Sequence, residues 1–335
     1  MKSTPRRCKP AISGIVSITP LLFCLGCATQ RPIPTSQGLV DANDVQLYYK
    51  TVGQGPPIVI LHGGPGFDHH HMLPFAELAG EHTVVFYDQR TTGDSTGQAD
   101  PNSITIDNFV EDLETLRREL NLGKINLIGH SWGSLLAMYY GIKHPDNLSS
   151  LTLLSPYASS EIFGEYSTNL QARMQEVDRY DMGQIENSDG FKDRETEIVQ
   201  EYYRASVRPM FHDRSKADKL DMTFGKNTAN NQAFVAVLLM ANLGEFDIHE
   251  QLPVIKCPTL IMHGDDDPLP VEAAYKVHKQ IPESKFIVLK NSGHFIFIES
   301  QREVLSAIER FLRDPSSVET SIPRDIQARL NSASP

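Results

Sequence analysis

The sequence is poor in cysteine and in tryptophan. It has four cysteines in 335 residues, and three of them lie in the first 27 residues, which leaves Cys257 alone in the body of the chain. One cysteine cannot form an internal disulfide, so the fold depends on its apolar core, and an oxidising compartment poses no problem. Cys257 lies in VIKCPTLIMHG beside a predicted strand, where a small core residue is expected rather than a nucleophile.

An excess of positive charge is also absent. The chain has 31 basic and 42 acidic residues, a net charge of −11 at pH 7. Removal of the first ten residues, which carry four basic residues and no acid, would make it more acidic still. An acidic surface argues against nucleic acid as a partner. No nucleic acid partner is expected.

The chain lacks an apolar run long enough for a comfortable transmembrane helix. The stretch AISGIVSITPLLFCLGC is short and contains Pro20. With the basic start MKSTPRRCKP it predicts a secretory signal over residues 1–27. The ending LFCLGC resembles a bacterial lipobox, which would make Cys27 the lipidated first residue of a lipoprotein anchored on the periplasmic side of the cell envelope. A plain cleaved signal and an uncleaved anchor are the alternatives.

The rest of the chain alternates apolar strands with amphipathic helices over residues 39–156 and 251–315. This alternation predicts an α/β fold whose mostly parallel sheet is covered by helices on both faces. Residues 157–250 lack strand-like runs and are predicted as a helical cap, inserted over the sheet edge where α/β folds bind ligands. Residues 28–38 are predicted as a tether, and 316–335 as a frayed polar tail with one short helix.

One short stretch, NLIGHSWGSLLAMYYG, contains a G-x-S-x-G pattern at Gly129, Ser131 and Gly133. A predicted strand precedes the serine and a predicted helix follows it, which is the context this pattern needs. The glycines leave room for a tight turn, and the helix start brings backbone N–H groups close to the serine oxygen. The pattern predicts Ser131 as a nucleophile.

A serine hydroxyl needs a base, and the base needs a carboxylate that orients it. HGDDDPLP supplies acids at residues 265–267 directly after one late strand, and NSGHF supplies His294 after the next. The order serine, acid, histidine is that of a hydrolase triad. The oxyanion needs two donors: we expect the amide of Trp132 and an amide of Gly63 or Gly64 in HGGPG, which follows the strand PIVIL.

At these motifs the sequence resembles the α/β-hydrolase fold family, and within it the prolyl-iminopeptidase-like branch. The resemblance rests on HGGPG, YDQRTTGDST, GHSWGS, HGDDDPLP and GHF, which span most of residues 40–313. It implies Ser131 as the nucleophile, His294 as the base and Asp267 as the orienting acid, with Asp266 as the fallback. It also implies an oxyanion hole from Gly63, Gly64 and Trp132.

Two departures from the branch bear on function. The pattern DQRG is here DQRT, with Thr91 in place of glycine. The predicted cap also shows no match to the motif of tryptophans and a glutamate with which prolyl iminopeptidases hold the free amine. The only tryptophan of the chain, Trp132, lies in the turn next to Ser131. Glu245 is a candidate for that binding role, and a solvated charge at a helix end is the alternative.

His69, His70 and His71 do not predict a metal site, because consecutive residues seldom converge on one ion. The sequence thus predicts a serine hydrolase that cleaves an amide or ester through an acyl-enzyme and requires no cofactor. Aminopeptidase action on prolyl peptides is the leading expectation. The alternatives are a carboxylic-ester or lactone hydrolase and a non-catalytic binding protein on the same fold.

Overall fold

A computed structural model of the chain describes residues 33–97, 100–225 and 227–332. Its centre is an eight-stranded sheet with the strand order β1-β2-β4-β3-β5-β6-β7-β8. The strands are β1 Thr35–Ala42, β2 Val45–Gly53, β3 Pro57–Leu61, β4 Thr83–Tyr87, β5 Ile125–His130, β6 Leu148–Leu154, β7 Thr259–Gly264 and β8 Lys285–Leu289. The pairs β1–β2 and β2–β4 are antiparallel and the other five are parallel, which confirms the predicted mostly parallel sheet.

Helices cover both faces of this sheet. The α-helices of the described residues are α1 Ile106–Glu119, α2 Trp132–Lys143, α3 Ile162–Arg173, α4 Glu176–Glu186, α5 Asp189–Lys192, α6 Thr196–Val207, α7 Thr228–Leu243, α8 Val271–Gln280, α9 Ile296–Glu299, α10 Gln301–Arg313 and α11 Arg324–Ser332. Short 3₁₀ helices lie at His69–Gly80, Pro145–Asn147, Arg208–Met210, Arg214–Lys219, His249–Val254 and Pro315–Ser317.

The central strands are apolar throughout because both of their faces are buried. Successive residues of one strand enter different cores: Val59 belongs to the cluster that also holds Leu135 of α2, whereas Ile60 belongs to the cluster that holds Ile308 of α10. Alternate side chains of a strand point to opposite faces of a sheet. The two clusters are therefore the cores above and below one sheet.

Helices α3 to α7 form the cap between β6 and β7. Among the described residues of 157–250, strand-like pairing is confined to an isolated bridge between Ser159 and Asp247. That bridge joins the two ends of the insertion, so the cap leaves and rejoins the sheet at one place.

Two predicted segments differ from the structure. Residues 35–38 are not part of a tether, because they pair with 49–52 as the first half of β1. Residues 316–332 of the predicted tail are not frayed: Ser321 bonds to Phe286 and Val288 on both sides of Ile287, and α11 buries Ile326 and Leu330. Residues 35–38 are polar and belong to the sheet through their backbone pairing with β2, whereas the polar C-terminal segment carries apolar residues that the core buries, Val318, Ile326 and Leu330.

The predicted signal peptide and Cys27 lie outside the described residues. Within 33–97, 100–225 and 227–332, no helix is long and apolar enough to span a bilayer.

Candidate active site

Ser131 occupies a strained turn between a strand and a helix. Strand β5 ends at His130, helix α2 begins at Trp132, and Ser131 between them has φ 55° and ψ −118°. A Cβ atom at Gly129 would lie 2.3 Å from the carbonyl oxygen of Gly133, so a larger residue cannot be accommodated there. Such strain in a non-glycine residue persists only where the surroundings enforce it, and it is common at functional sites. The side chain of Ser131 is partly exposed.

His294 is held by Asp267 in the loops after β8 and β7. The Nδ1 atom of His294 lies 2.9 and 3.0 Å from the two carboxylate oxygens of Asp267, whose side chain is fully buried. Burial alone would raise the pKa of Asp267, but His294 and the amide of Leu269 outweigh it and lower the pKa to about 2. The acid is therefore an anion at neutral pH. Because Nδ1 faces this anion, Nε2 is the ring atom left to exchange a proton.

The backbone of His294 packs against the serine turn. Its carbonyl oxygen lies 3.0 Å from Nε2 of His130 and accepts a bond of 3.4 Å from the hydroxyl of Ser155, and the two imidazole rings are 4.7 Å apart between centroids. Burial lowers the pKa of His130 well below its usual value, so this imidazole is neutral and donates from Nε2. The structure thus brings the histidine loop to the residue next to Ser131.

Asp266, the fallback acid, points elsewhere. Its carboxylate accepts bonds of 2.8 and 3.1 Å from Arg173 of α3 and lies 2.8 Å from Nδ1 of His212. Of the acids at 265–267, Asp267 is the one that contacts the His294 ring.

The predicted oxyanion hole needs a correction at Gly63. The N–H of Gly63 already donates to Nε2 of His71 at 3.3 Å, and burial lowers the pKa of His71 to about 3, so the ring is a neutral acceptor. The N–H of Gly64 has no acceptor among the described residues, and that of Trp132 has none within α2 because it opens the helix. Of the three predicted donors, the amides of Gly64 and Trp132 are thus the two without an acceptor among the described residues.

Gln89 ties the two donor segments together. Its side-chain amide donates to the carbonyl of His62 at 2.9 Å and accepts from the indole N–H of Trp132 at 2.8 Å. Its backbone N–H donates to Nε2 of His62 at 3.0 Å. The next residue, Arg90, is fully buried and makes a bidentate pair with Asp112 of α1 at 2.7 and 2.8 Å. The roles of Gln89 and His71 were missed in the sequence, where only the motif DQR marked the loop.

The cap covers this site with aromatic and polar side chains. Phe67, just after the glycine loop, meets Tyr203 of α6 edge-on at 5.4 Å, and Tyr203 hydrogen-bonds to Gln232 of α7. Gly66 lies so close to α7 that a Cβ atom would stand 2.5 Å from the carbonyl oxygen of Gln232. The cap therefore rests directly on the loop that carries the Gly64 donor.

Glu245 does not join the site. It is exposed just beyond the end of α7, where Gly244 has φ 59°. It lines a pocket of about 680 Å³ that includes neither Ser131 nor His294. The position is that of a solvated charge at a helix end, the alternative considered from the sequence.

The histidines that follow the glycine loop are hydrogen-bonded to carboxylates of the protein. Asp68, His69 and His70 lie close together, but Nδ1 of His70 is 2.8 Å from Asp68, and Nδ1 of His69 is 2.7 Å from Asp88. Asp68 also accepts from Thr228 and Gly225 of the cap. Cys257 is partly buried, and burial raises the pKa of its thiol to about 11, which disfavours the reactive thiolate at neutral pH.

With this geometry in place, comparison with known proteins gives the class. The sequence pattern of the alpha/beta hydrolase fold matches residues 56–301, so the chain belongs to the α/β-hydrolase fold family, a class of hydrolases. It is similar to the proline iminopeptidase of Heyndrickxia coagulans, with 28% identity over 292 residues that cover 83% of this chain and 98% of that protein.

Solved structures agree on the fold. The proline iminopeptidase of Mycobacterium smegmatis superposes with a TM-score of 0.63 at 21% identity, covering 83% of this chain and 98% of that one. A thermophilic esterase from Thermogutta terrifontis superposes with a TM-score of 0.61 at 24% identity, also covering 83% and 98%. These two neighbours therefore confirm the predicted α/β-hydrolase fold.

Proposed function

We propose that the protein is a serine hydrolase that acts through an acyl-enzyme, with Ser131 as the nucleophile. The observation that carries the proposal is the ionised Asp267 bonded to Nδ1 of His294 in a loop packed against the strained Ser131 turn. A serine flanked by a histidine that a buried carboxylate orients is the arrangement for nucleophilic attack on a carbonyl.

Each group has a distinct task in this mechanism. Nε2 of His294 takes the hydroxyl proton as Ser131 attacks the carbonyl carbon, and Asp267 stabilises the resulting imidazolium. The amides of Gly64 and Trp132 donate to the oxyanion of the tetrahedral intermediate. His294 then protonates the leaving group, and a water molecule repeats the sequence on the ester of Ser131 to release the acid.

For the substrate, the first candidate is a peptide with a free N-terminal residue, proline first. The support is the 28% identity to a proline iminopeptidase over nearly its full length. Against it stand the positions of the two candidate residues: the indole of Trp132 is buried against Gln89, and Glu245 is exposed outside the site. A carboxylic ester or a lactone is therefore the second candidate, because its recognition needs no ammonium-binding carboxylate.

Two substrates of similar size separate these candidates. Proline p-nitroanilide and p-nitrophenyl butyrate release related chromophores and are compared at equal concentrations with the native protein and with Ser131→Ala. Turnover of the anilide supports the aminopeptidase, and turnover of the ester alone contradicts it. The acetylated proline anilide is the control for amine recognition, since a true aminopeptidase discriminates against it.

A non-catalytic binding protein on the same fold is the remaining alternative. A fluorophosphonate probe followed by peptide mapping tests it directly. The hydrolase proposal predicts labelling of Ser131 in the native chain and none in Ser131→Ala. Absence of labelling of the native chain, or equal labelling of the variant, supports the binding protein instead.

We also propose that the protein is exported and carries lipid on Cys27, on the strength of the basic start, the short apolar stretch and LFCLGC. The measurement is the mass of the N-terminal peptide of protein recovered from the bacterial envelope. A chain beginning at diacylated Cys27 is expected. An N-terminal peptide that retains Met1, or an unmodified Cys27, contradicts the anchor, and Cys27→Ser is the matched control.

A further inference from the structure

The guanidinium of Arg173, at the end of cap helix α3, connects three segments that are distant in sequence. It makes the bidentate pair with Asp266 in the loop after β7. Its Nε atom also donates to the carbonyl of Pro209 at 2.7 Å, and Nη2 donates to the carbonyl of Phe211 at 3.0 Å. The side chain is only 24% exposed. Its planar fork therefore fixes residues 209–211 of the cap relative to the core loop that also carries Asp267.

Segment 209–211 in turn contacts the histidine loop. The carbonyl of Met210, between the two carbonyls that Arg173 binds, accepts the backbone N–H of His294 at 2.8 Å. A Cβ atom at Gly293 would stand 2.2 Å from this same carbonyl oxygen, so the two backbones touch. The ring of Phe211 stacks on Phe295 at 5.0 Å with a tilt of 20°. Gly293 and Phe295, which flank His294 in sequence, thus both contact the cap.

A buried carboxylate forms a second connection between the same two segments. Glu299 accepts the N–H of Gly293 at 2.6 Å and the backbone N–H groups of His212 and Asp213 at 3.3 and 2.8 Å. The backbone around His294 is therefore bonded to the cap in two ways. Met210 of the cap accepts the N–H of His294 directly, and Glu299 bridges the N–H of Gly293 to those of His212 and Asp213.

We propose that Arg173 is a positioning residue for His294: it fixes segment 209–211, and this segment fixes the backbone of the catalytic base. The inference rests on the proposed function. Asp267 fixes the orientation of the imidazole ring, whereas Arg173 fixes the position of the backbone that carries it. A displacement of about 1 Å at a reacting group costs on the order of 100-fold in rate. The cap is thereby coupled to catalysis through the protein backbone as well as through the substrate.

The test compares Arg173→Met with Arg179→Met. Both residues belong to the cap, but exposed Arg179 donates, within the described part of the chain, to the carbonyls of Met174 and Gln171, outside segment 209–211. We measure the second-order rate of Ser131 labelling by a small fluorophosphonate from pH 5 to 9, and kcat and KM for p-nitrophenyl acetate. These probes are too small to depend on extended contacts with the cap.

Arg173→Met is expected to lower the labelling rate and kcat about 10- to 100-fold, with KM changed less than about 3-fold, and to alter the pH profile. Arg173→Lys, which keeps the charge but not the fork, is expected to recover part of the loss. Arg179→Met is expected to match the native protein. If Arg173→Met does not fold, Asp266→Asn, which removes the charged acceptor of the fork, is judged by the same criteria.

Native labelling rates and an unchanged pH profile in the folded variant would overturn the positioning role, as would an equal loss in Arg179→Met. A lower melting temperature with unchanged labelling at 25 °C would make Arg173 purely structural and overturn it as well. Failure of the proposed function has a different signature: Ser131→Ala would then be labelled as fast as the native chain.

Discussion

At the scale of single residues, Thr91, which stands where the family pattern DQRG has glycine, has a backbone conformation that favours glycine. Thr91 has φ 67°, in the left-handed region that a β-branched residue rarely adopts. It is fully buried, and its hydroxyl has no hydrogen-bond partner among the described residues. This chain therefore retains a strained residue directly beside the Arg90–Asp112 pair.

We expect Thr91→Gly to raise the free energy of unfolding by about 1–3 kcal/mol. Relief of the left-handed conformation and of an unsatisfied buried hydroxyl is each worth about 1–2 kcal/mol, against about 0.5–1 kcal/mol for the added flexibility of glycine. Urea unfolding measures the change. Thr92→Gly is the matched control and should destabilise, since the Thr92 hydroxyl donates to Gln89 at 2.9 Å. A loss of stability in Thr91→Gly would contradict the account.

The buried His71 makes a second prediction, on pH. Its folded pKa is about 3, because burial lowers it from 6.5. Below pH 6.5 His71 becomes protonated in the unfolded chain but stays neutral in the folded protein. The free energy of unfolding that is present above pH 6.5 is therefore lost as the pH falls toward 3. The loss is at most about 1.4 kcal/mol per pH unit. His71→Gln, whose carbonyl still accepts from Gly63, should flatten the dependence of unfolding free energy between pH 6.5 and 4.5; parallel curves would refute this.

At the scale of elements, the loop after β4 organises the site. Asp88 binds the 3₁₀ helix at His69–Gly80, Gln89 joins the loop after β3 to the start of α2, and Arg90 binds α1. Each contact reaches a different element, so the loop ties the segment after β3, which carries Gly64, to Trp132 at the start of α2.

Replacing Gln89 by leucine should therefore reduce catalysis more than binding. The change leaves the indole N–H of Trp132 and the carbonyl of His62 without partners and lets the two donors move apart. We expect kcat for p-nitrophenyl acetate to fall about 10- to 100-fold, less than the 10²–10³ typical of deleting a donor outright. Thr152→Val, another buried polar-to-apolar change but at a hydroxyl without a partner among the described residues, should leave kcat unchanged. Equal effects of the two substitutions would argue against this role.

At the scale of the whole molecule, the C-terminal segment belongs to the folded domain. Leu330 is 1% exposed in the same core cluster as α2, and Arg329 beside it is exposed and pairs with Glu272 at 2.7 Å. Leu330→Ala should lower the free energy of unfolding by about 2 kcal/mol or more, and Arg329→Ala by less than about 1 kcal/mol. Denaturant unfolding of both variants is the measurement. Equally small losses of unfolding free energy in the two variants would instead support the frayed tail predicted from the sequence.

Local patterns predicted most of the fold, the turn at Ser131 and the contact between Asp267 and His294. Strand–turn–helix geometry and strand-end loops are properties of short segments, which is why the sequence shows them. The errors have tertiary causes. Gly63 and Gly64 are adjacent, and only the contact with His71 shows which amide is already occupied. Glu245 lies in the cap, but its direction depends on where α7 ends. No sequence pattern predicted the contacts of Arg173, because its acceptors are main-chain carbonyls and an acid 93 residues away in sequence.

The most direct test of the whole account is the rate at which a fluorophosphonate labels the native chain, Ser131→Ala, His294→Ala and Asp267→Asn, with the modified peptide mapped by mass spectrometry. We predict modification at Ser131 alone, abolished in Ser131→Ala and slowed by about 10³-fold or more in His294→Ala and Asp267→Asn. Modification at another residue, or native rates in His294→Ala, would contradict the proposed catalytic triad.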